Sequence, residues 1–302
     1  MRVLLVVNSF ASSVTARNKV LIEEILIDGG HEVTLKETNR RGHATRFAQD
    51  AASRNWDVVI ALGGDGTLNE VANGLAGSGT ALGVLPGGST NVFARTIGME
   101  NDPVAAARQL AAGLAAEAIR PIGLGNVNGR YFCFHTGVGF DAAVVANVEK
   151  RSTIKRWLGH PLFIYAGLKT FFRTFDRKRS HFTVNTIGRS YPGSFTVVLN
   201  TNPYTFLGNR PLDLAPAATL ESSLSTVTFA RMKVIGLLAA LARTLRGGGI
   251  RGKAVVTEDG VPSLTIDSLT PFPYQLDGDY LGETHRLTFR WDPDIVRLVL
   301  PR

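Results

Sequence analysis

The stretch GGDGT at residues 63–67 sets a single carboxylate, Asp65, among Gly63, Gly64 and Gly66, with Thr67 closing the run. Glycines leave backbone N–H groups uncovered, and amides at the start of a helix make a seat for an anion such as a phosphate. A carboxylate in that seat would repel a phosphate unless a divalent cation stood between them. The combination therefore points to Mg²⁺ bridging Asp65 and a nucleotide. The plainer reading is an ordinary strand-turn-helix connection in which glycine relieves steric strain.

The elements that must position this turn are legible on both sides of it. An apolar strand runs into Leu62, while Leu68, Val71, Ala72 and Leu75 fall on one face of a following helix. Thr67 and Glu70 have the spacing of a capping box for that helix. The first third of the chain alternates short apolar runs (RVLLVVN, HEVTLKET, DVVIALGG, ALGVLPGG) with helical patterns near residues 16–28, 44–54 and 103–117. Such alternation predicts a parallel sheet flanked by helices. Beyond Gly123 the pattern becomes hairpin-like, with turns expected at Asn128-Gly129 and around Gly188 and with helical insertions near 161–175 and 232–246. The expected fold is thus α/β: an N-terminal Rossmann-like α/β nucleotide-binding domain, residues 1–122 with 290–302, and a C-terminal, mainly antiparallel β-sandwich domain, residues 123–289.

Composition narrows the class. A chain of 302 residues with 44% hydrophobic and 19% charged residues is a folded globular protein, and its length favours two domains. The single cysteine, Cys133, forms no internal disulfide; its flanking Phe132 and Phe134 suggest a strand position, and a reducing, cytoplasmic setting fits. No apolar stretch has the length of a signal sequence or a membrane span. The net charge of +8 is regional: residues 150–179 carry nine Lys or Arg against Asp176 alone, and residues 231–253 add six with no acid. Trp157, Phe163, Tyr165, Phe171, Phe172 and Phe175 are interleaved with the first cluster. That mixture suits peripheral contact with an anionic membrane, although the same aromatics also read as core with a solvated charged rim. No nucleic-acid recognition motif accompanies the basic residues. GGGIRGKA, residues 247–254, has the spacing of a phosphate-binding loop but places Ala254 where a metal-binding hydroxyl belongs.

GGDGTLNEVANGL, together with GHATRFAQDAA (42–52), LPGGSTNVFARTIG (85–98), GVGFDA (137–142) and QLDGDYLGET (275–284), resembles the diacylglycerol kinase catalytic family, specifically the soluble bacterial lipid kinases. The resemblance implies an ATP-dependent lipid kinase that passes the γ-phosphoryl group to a lipid hydroxyl, with diacylglycerol the leading acceptor. It implies ATP and Mg²⁺ in the α/β domain, a lipid at the membrane surface served in part by the β domain, and admits a homodimer. Carried over residue by residue, Asn8, Thr38, Gly42, Gly63, Gly64, Gly66 and Thr67 would lie around the nucleotide, and Ser89, Thr90 and Asn91 would face the same cleft. Asp65 would be catalytic and hold the metal, and Asp277 and Asp279 would form the catalytic acidic motif. His43 reads as a helix-capping or ribose-edge residue rather than a general base, and Asp141 as either a helix cap or a site residue.

The chain departs from the family pattern in four places. Ser9 replaces a common proline, Val92 a common aspartate, Asp279 the usual glutamate, and Ser222-Ser223 an Asp-Gly pair that helps hold a structural metal. Two other functions stay open at this level: an NAD kinase, which shares a GGDGT loop, and a non-catalytic nucleotide or lipid binder.

Overall fold

β1 (Arg2–Val7) is hydrogen-bonded in parallel to β2 (Glu32–Glu37) on one side and to β3 (Val58–Gly63) on the other. The computed structural model describes residues 1–140, 142, 181–231, 243–244, 250, 252 and 254–302. The helical insertions expected near 161–175 and 232–246, both basic clusters, Asp141 and Lys253 lie outside the described residues, apart from isolated positions within the second cluster. The chain divides into two compact units, Met1–Leu124 with Pro293–Arg302, and Gly125–Asp292.

In the first unit α1 (Ala16–Asp28), α2 (His43–Ser53) and α3 (Asp65–Leu75) connect the parallel strands. β4 (Ala81–Pro86) pairs in parallel with β3, and α4 (Val92–Thr96) and α5 (Pro103–Ala115) follow it. β3 and β4 are buried along their whole length, which is why their sequences are continuous apolar runs rather than alternating ones. The chain steps from β1 outward to β2, then back across β1 to β3 and β4. This reversal is the switch point at which open α/β sheets bind ligands, beyond the carboxyl ends of the strands. The caps follow local chemistry: Thr15 accepts from the Asn18 amide at the start of α1, and Asp102 accepts from the amides of Val104 and Ala105 ahead of Pro103 in α5.

The rest of the chain is antiparallel, except that Arg297 and Leu298 near its end pair in parallel with Ala81 and Leu82 of β4. β5 (Ile119–Val127) and β6 (Arg130–Phe132) form the expected hairpin, with Asn128 and Gly129 both at positive φ in its two-residue turn. Next come β7 (His135–Gly139), β8 (Phe182–Thr186), β9 (Arg189–Gly193), β10 (Phe195–Leu199), the short pair β11 (Thr205–Leu207) and β12 (Arg210–Leu212), β13 (Leu224–Phe229), β14 (Val255–Val261), β15 (Ser263–Leu276) and β16 (Asp279–Val299). β7, β10 and β13 are neighbours, with His135 opposite Leu199 and Leu199 opposite Ser225. The second unit buries two apolar clusters, one including Phe132, Val184, Ile266 and Phe289, the other Val197, Leu199, Leu214, Val227 and Phe229. Cys133 corrects one expectation: it is buried, but it lies in the two-residue break between β6 and β7 rather than in a strand.

Candidate functional site

The carboxyl ends of β1, β2, β3 and β4 bring most of the sequence-predicted nucleotide residues to one edge of the first unit. Asn8 follows β1, Thr38 and Gly42 follow β2, Gly63–Thr67 follow β3, and Ser89, Thr90 and Asn91 follow β4. The loops are stitched together there. The Asn8 amide donates to the Leu62 carbonyl at 2.9 Å, and its side-chain Nδ2 donates to Thr67 Oγ1 at 3.0 Å. The Thr38 amide donates to the Val7 carbonyl at 2.8 Å, and Ser13 to the Gly87 carbonyl at 2.9 Å.

The two glycine turns lie backbone against backbone. The Gly87 amide donates to the Gly63 carbonyl at 2.7 Å, and a Cβ on Gly87 would stand 2.8 Å from the Gly63 Cα. A Cβ on Gly63 would meet Thr67 Oγ1 at 2.7 Å. Glycine is therefore required here by close approach, whatever ligand the loops hold. Asn91 fixes the second turn: buried and left-handed at φ 51°, it accepts from the Gly88 amide at 2.8 Å and donates to Asn101 Oδ1 at 2.8 Å.

Asp65 is the first residue of α3, and its carboxylate spans to the next helix. Its two oxygens accept from the amides of Val92, at 3.1 Å, and Phe93, at 3.3 Å, the first two residues of α4. The carboxylate is thus held in place by the N-terminal end of a neighbouring helix, where negative charge is favoured. Each carboxylate oxygen has further acceptor capacity beyond one N–H. Mg²⁺ takes one or two protein carboxylates and completes its shell with phosphate oxygens and water, so the donor set fits with Asp65 as the holding residue. Among the described residues no cluster of three or more His, Cys, Asp or Glu could hold a metal by protein ligands alone.

One expectation is corrected. Glu70 makes no capping box with Thr67: the N-cap of α3 is Gly64, without a side-chain cap. Glu70 instead accepts from the amides of Gly42 at 2.8 Å and Ala44 at 3.1 Å, capping α2 from outside. Gly42, the N-cap of α2 at φ 83°, carries no side chain that could do this. Thr67 is occupied by Asn8. Glu70→Gln places an amide NH₂ against one of the two helix amides, and we expect about 1 kcal/mol of lost stability with faster hydrogen exchange at residues 42–46. Urea unfolding and exchange mass spectrometry read both. His43 heads α2 and its Nε2 accepts from Arg40 Nε at 2.6 Å, which ties it to the loop.

In the second unit Asp277 and Asp279 differ in environment. Asp277 is buried in the turn between β15 and β16, left-handed at φ 47°. One of its oxygens accepts from Cys133 at 2.7 Å, and the other from Phe134 at 3.0 Å and His135 at 3.1 Å. Its own amide donates to the His135 carbonyl at 2.9 Å. Asp277 thus clasps the break between β6 and β7. Asp279, at the start of β16, is partly exposed.

His135 was not expected from sequence to carry any role. It packs edge-on against Phe134, with ring centroids 4.9 Å apart, and tilted against Tyr204 at 4.4 Å, and burial pushes its pKa down to about 3. A histidine whose folded pKa lies below its unfolded one binds fewer protons in the native state, so stability falls as pH drops from about 6.5 toward 3. We expect about 3 kcal/mol of lost stability between pH 7 and pH 4.5, read from urea midpoints, with the slope reduced in His135→Phe. No sequence motif marks the position; its nearer ring partner, Tyr204, is far along the chain.

The comparisons with known proteins agree with one another. Residues 2–127 match the model of the diacylglycerol kinase catalytic domain. A Pseudomonas aeruginosa protein named "Probable lipid kinase YegS-like" is 31% identical over 278 residues, covering 91% of this chain and 86% of that one. The chain belongs to the diacylglycerol kinase catalytic family. It is a kinase of that lipid-kinase group. The diacylglycerol kinase of Bacillus subtilis is 30% identical over 257 residues, covering 84% of this chain and 81% of its own. The fold is also that of a diacylglycerol kinase crystal structure from Bacillus anthracis, with a TM-score of 0.71 and 21% identity over 99% of this chain and 96% of that one. Among the described residues no helix is long and apolar enough to cross a membrane.

Proposed function

We propose that the protein transfers the γ-phosphoryl group of ATP to the hydroxyl of a lipid, with diacylglycerol as acceptor and phosphatidic acid as product, working peripherally at a membrane surface. The observation that carries this reading is the convergence of Asn8, Gly63–Thr67 and Gly87–Asn91 at the switch point of the parallel sheet, with Asp65 fixed between two helix starts. Phosphoryl transfer needs alignment and charge neutralisation more than covalent chemistry. The glycine turns, joined by the Gly87 amide and the Gly63 carbonyl, would supply backbone amides to the phosphates, Asn8 ties the loop after β1 to Thr67, and Asp65 would hold Mg²⁺. When bound, the ion neutralises charge on the phosphate oxygens.

In the second unit, Asp279 is the acid assigned to take the proton of the acceptor hydroxyl. Asp277 already accepts three N–H bonds, which favours its partner in the motif for this role. For Asp279→Asn we expect about a 100-fold loss in kcat with the KM for ATP unchanged; wild-type turnover would move the base elsewhere.

The test of the whole reading is incubation with labelled ATP, Mg²⁺, a panel of lipids and NAD. Label in a diacylglycerol product is the expected result. Label in NAD, or none despite nucleotide binding, would overturn it in favour of an NAD kinase or a non-catalytic binder.

A further inference from the structure

Ahead of β13 the chain turns tightly over residues 217–222, and one hydroxyl closes the turn. Ser222 Oγ accepts from the Thr219 amide at 2.9 Å, and its single hydrogen is shared between the carbonyl oxygens of Thr219, at 3.1 Å, and Ala217, at 3.2 Å. The Ser222 amide donates to the same Thr219 carbonyl at 3.2 Å. The turn is also fastened to its surroundings. The Ala218 amide donates to the Ala215 carbonyl at 2.9 Å, and the Ala218 carbonyl accepts from the Asn202 amide at 3.0 Å. Ala218 itself is buried in the apolar cluster with Leu214 and Val227. Whatever closes this turn therefore fixes how the chain enters β13.

The family resemblance puts the carboxylate of an Asp-Gly pair here, as part of the hold on a structural metal, and the chain has Ser222-Ser223 instead. The donor set does not fit that ion. Hard divalent cations are held by carboxylates, with carbonyl oxygens and water completing the shell. The Ser222 hydroxyl carries no charge, and the two carbonyls nearest it already accept its hydrogen. The Asp213 carboxylate is engaged by Asn202 Nδ2 at 2.8 Å. Among the described residues no three His, Cys, Asp or Glu gather to hold a metal.

We infer that the Ser222 hydroxyl takes the place of the structural metal ion: it closes the turn before β13 by hydrogen bonds, and the stability of the second unit has no divalent-cation requirement. The demand for a cation then rests with Asp65 and the nucleotide.

The test is thermal melting of the full chain without nucleotide, in excess Mg²⁺ or Ca²⁺ and in EDTA. Wild type and Asp65→Asn are each expected to keep the same Tm within about 1 °C in all three conditions. Ser222→Ala is expected to melt about 2–3 °C lower than wild type in every condition, because the Thr219 amide loses its acceptor. Ser222→Asp combined with Ser223→Gly returns a carboxylate to the Ala217 and Thr219 carbonyls, and its Tm is expected to rise by about 3 °C or more with the ion and to drop in EDTA. A wild-type Tm that falls in EDTA, and still falls in Asp65→Asn, would overturn the inference, since an ion would then be held away from the nucleotide turn. A fall that Asp65→Asn abolishes would place the cation at that turn and support it. A Ser222→Ala variant as stable as wild type, or a double variant indifferent to both ions, would overturn it as well. None of these melts depends on turnover, so their outcome is separate from that of the kinase reading.

Discussion

Asp277→Ala is expected to lower the unfolding free energy by about 4 kcal/mol, enough to leave much of a marginally stable chain unfolded at growth temperature. The size comes from what the carboxylate does. It takes N–H bonds from three consecutive residues, Cys133, Phe134 and His135, at 2.7 to 3.1 Å, all in a buried stretch where the chain breaks between β6 and β7. Alanine leaves three buried amides without an acceptor, and it must also sit at the left-handed φ of 47° that Asp and Asn tolerate better. Asp277→Asn separates the contributions. Asparagine keeps the backbone geometry and one carbonyl oxygen, but turns an NH₂ group toward a donor, so we expect about 2 kcal/mol. Urea titrations of the three proteins should rank wild type, Asn, Ala in falling order of midpoint with a common slope. Equal midpoints would mean that the clasp contributes nothing.

That clasp also shows where sequence reading reaches its limit. Asp277 was noticed because the acidic motif resembles a family pattern, but its partners lie 142 to 144 residues earlier and no local spacing announces them. Glu70 makes the same point from the other side. Its spacing from Thr67 satisfied a local rule, yet α3 begins at Gly64, and the carboxylate reaches the start of α2 some 26 to 28 residues back. Features set by neighbours in the chain were legible: the buried parallel strands from their unbroken apolar runs, the Asn128-Gly129 hairpin from its turn residues, α5 from Pro103 behind Asp102. Those set by residues meeting across the fold were not, among them the approach of Gly63 to Gly87 and the packing of His135 against Tyr204.

Asp65→Asn is expected to lower kcat by about 1,000-fold while the protein stays folded. The substitution is nearly isosteric, so α3 keeps its start and the loop its path. It costs the charge, and with it the ability to hold a divalent cation beside phosphates, which a neutral amide does poorly. It also turns an NH₂ toward either Val92 or Phe93, whose amides now each bond a carboxylate oxygen, and that should cost about 1 kcal/mol of stability. The two effects are separable. Tm should fall by only a few degrees, as a change of that size does in a chain of this length, while turnover is almost lost at saturating ATP. Asp65→Glu discriminates further: it restores the charge but pushes it one methylene onward, so a charge held at a defined position predicts little rescue. Near-full activity in Asp65→Asn would leave Asp65 as a helix tether alone. In that case the cation, if one is used, must be held by some other group.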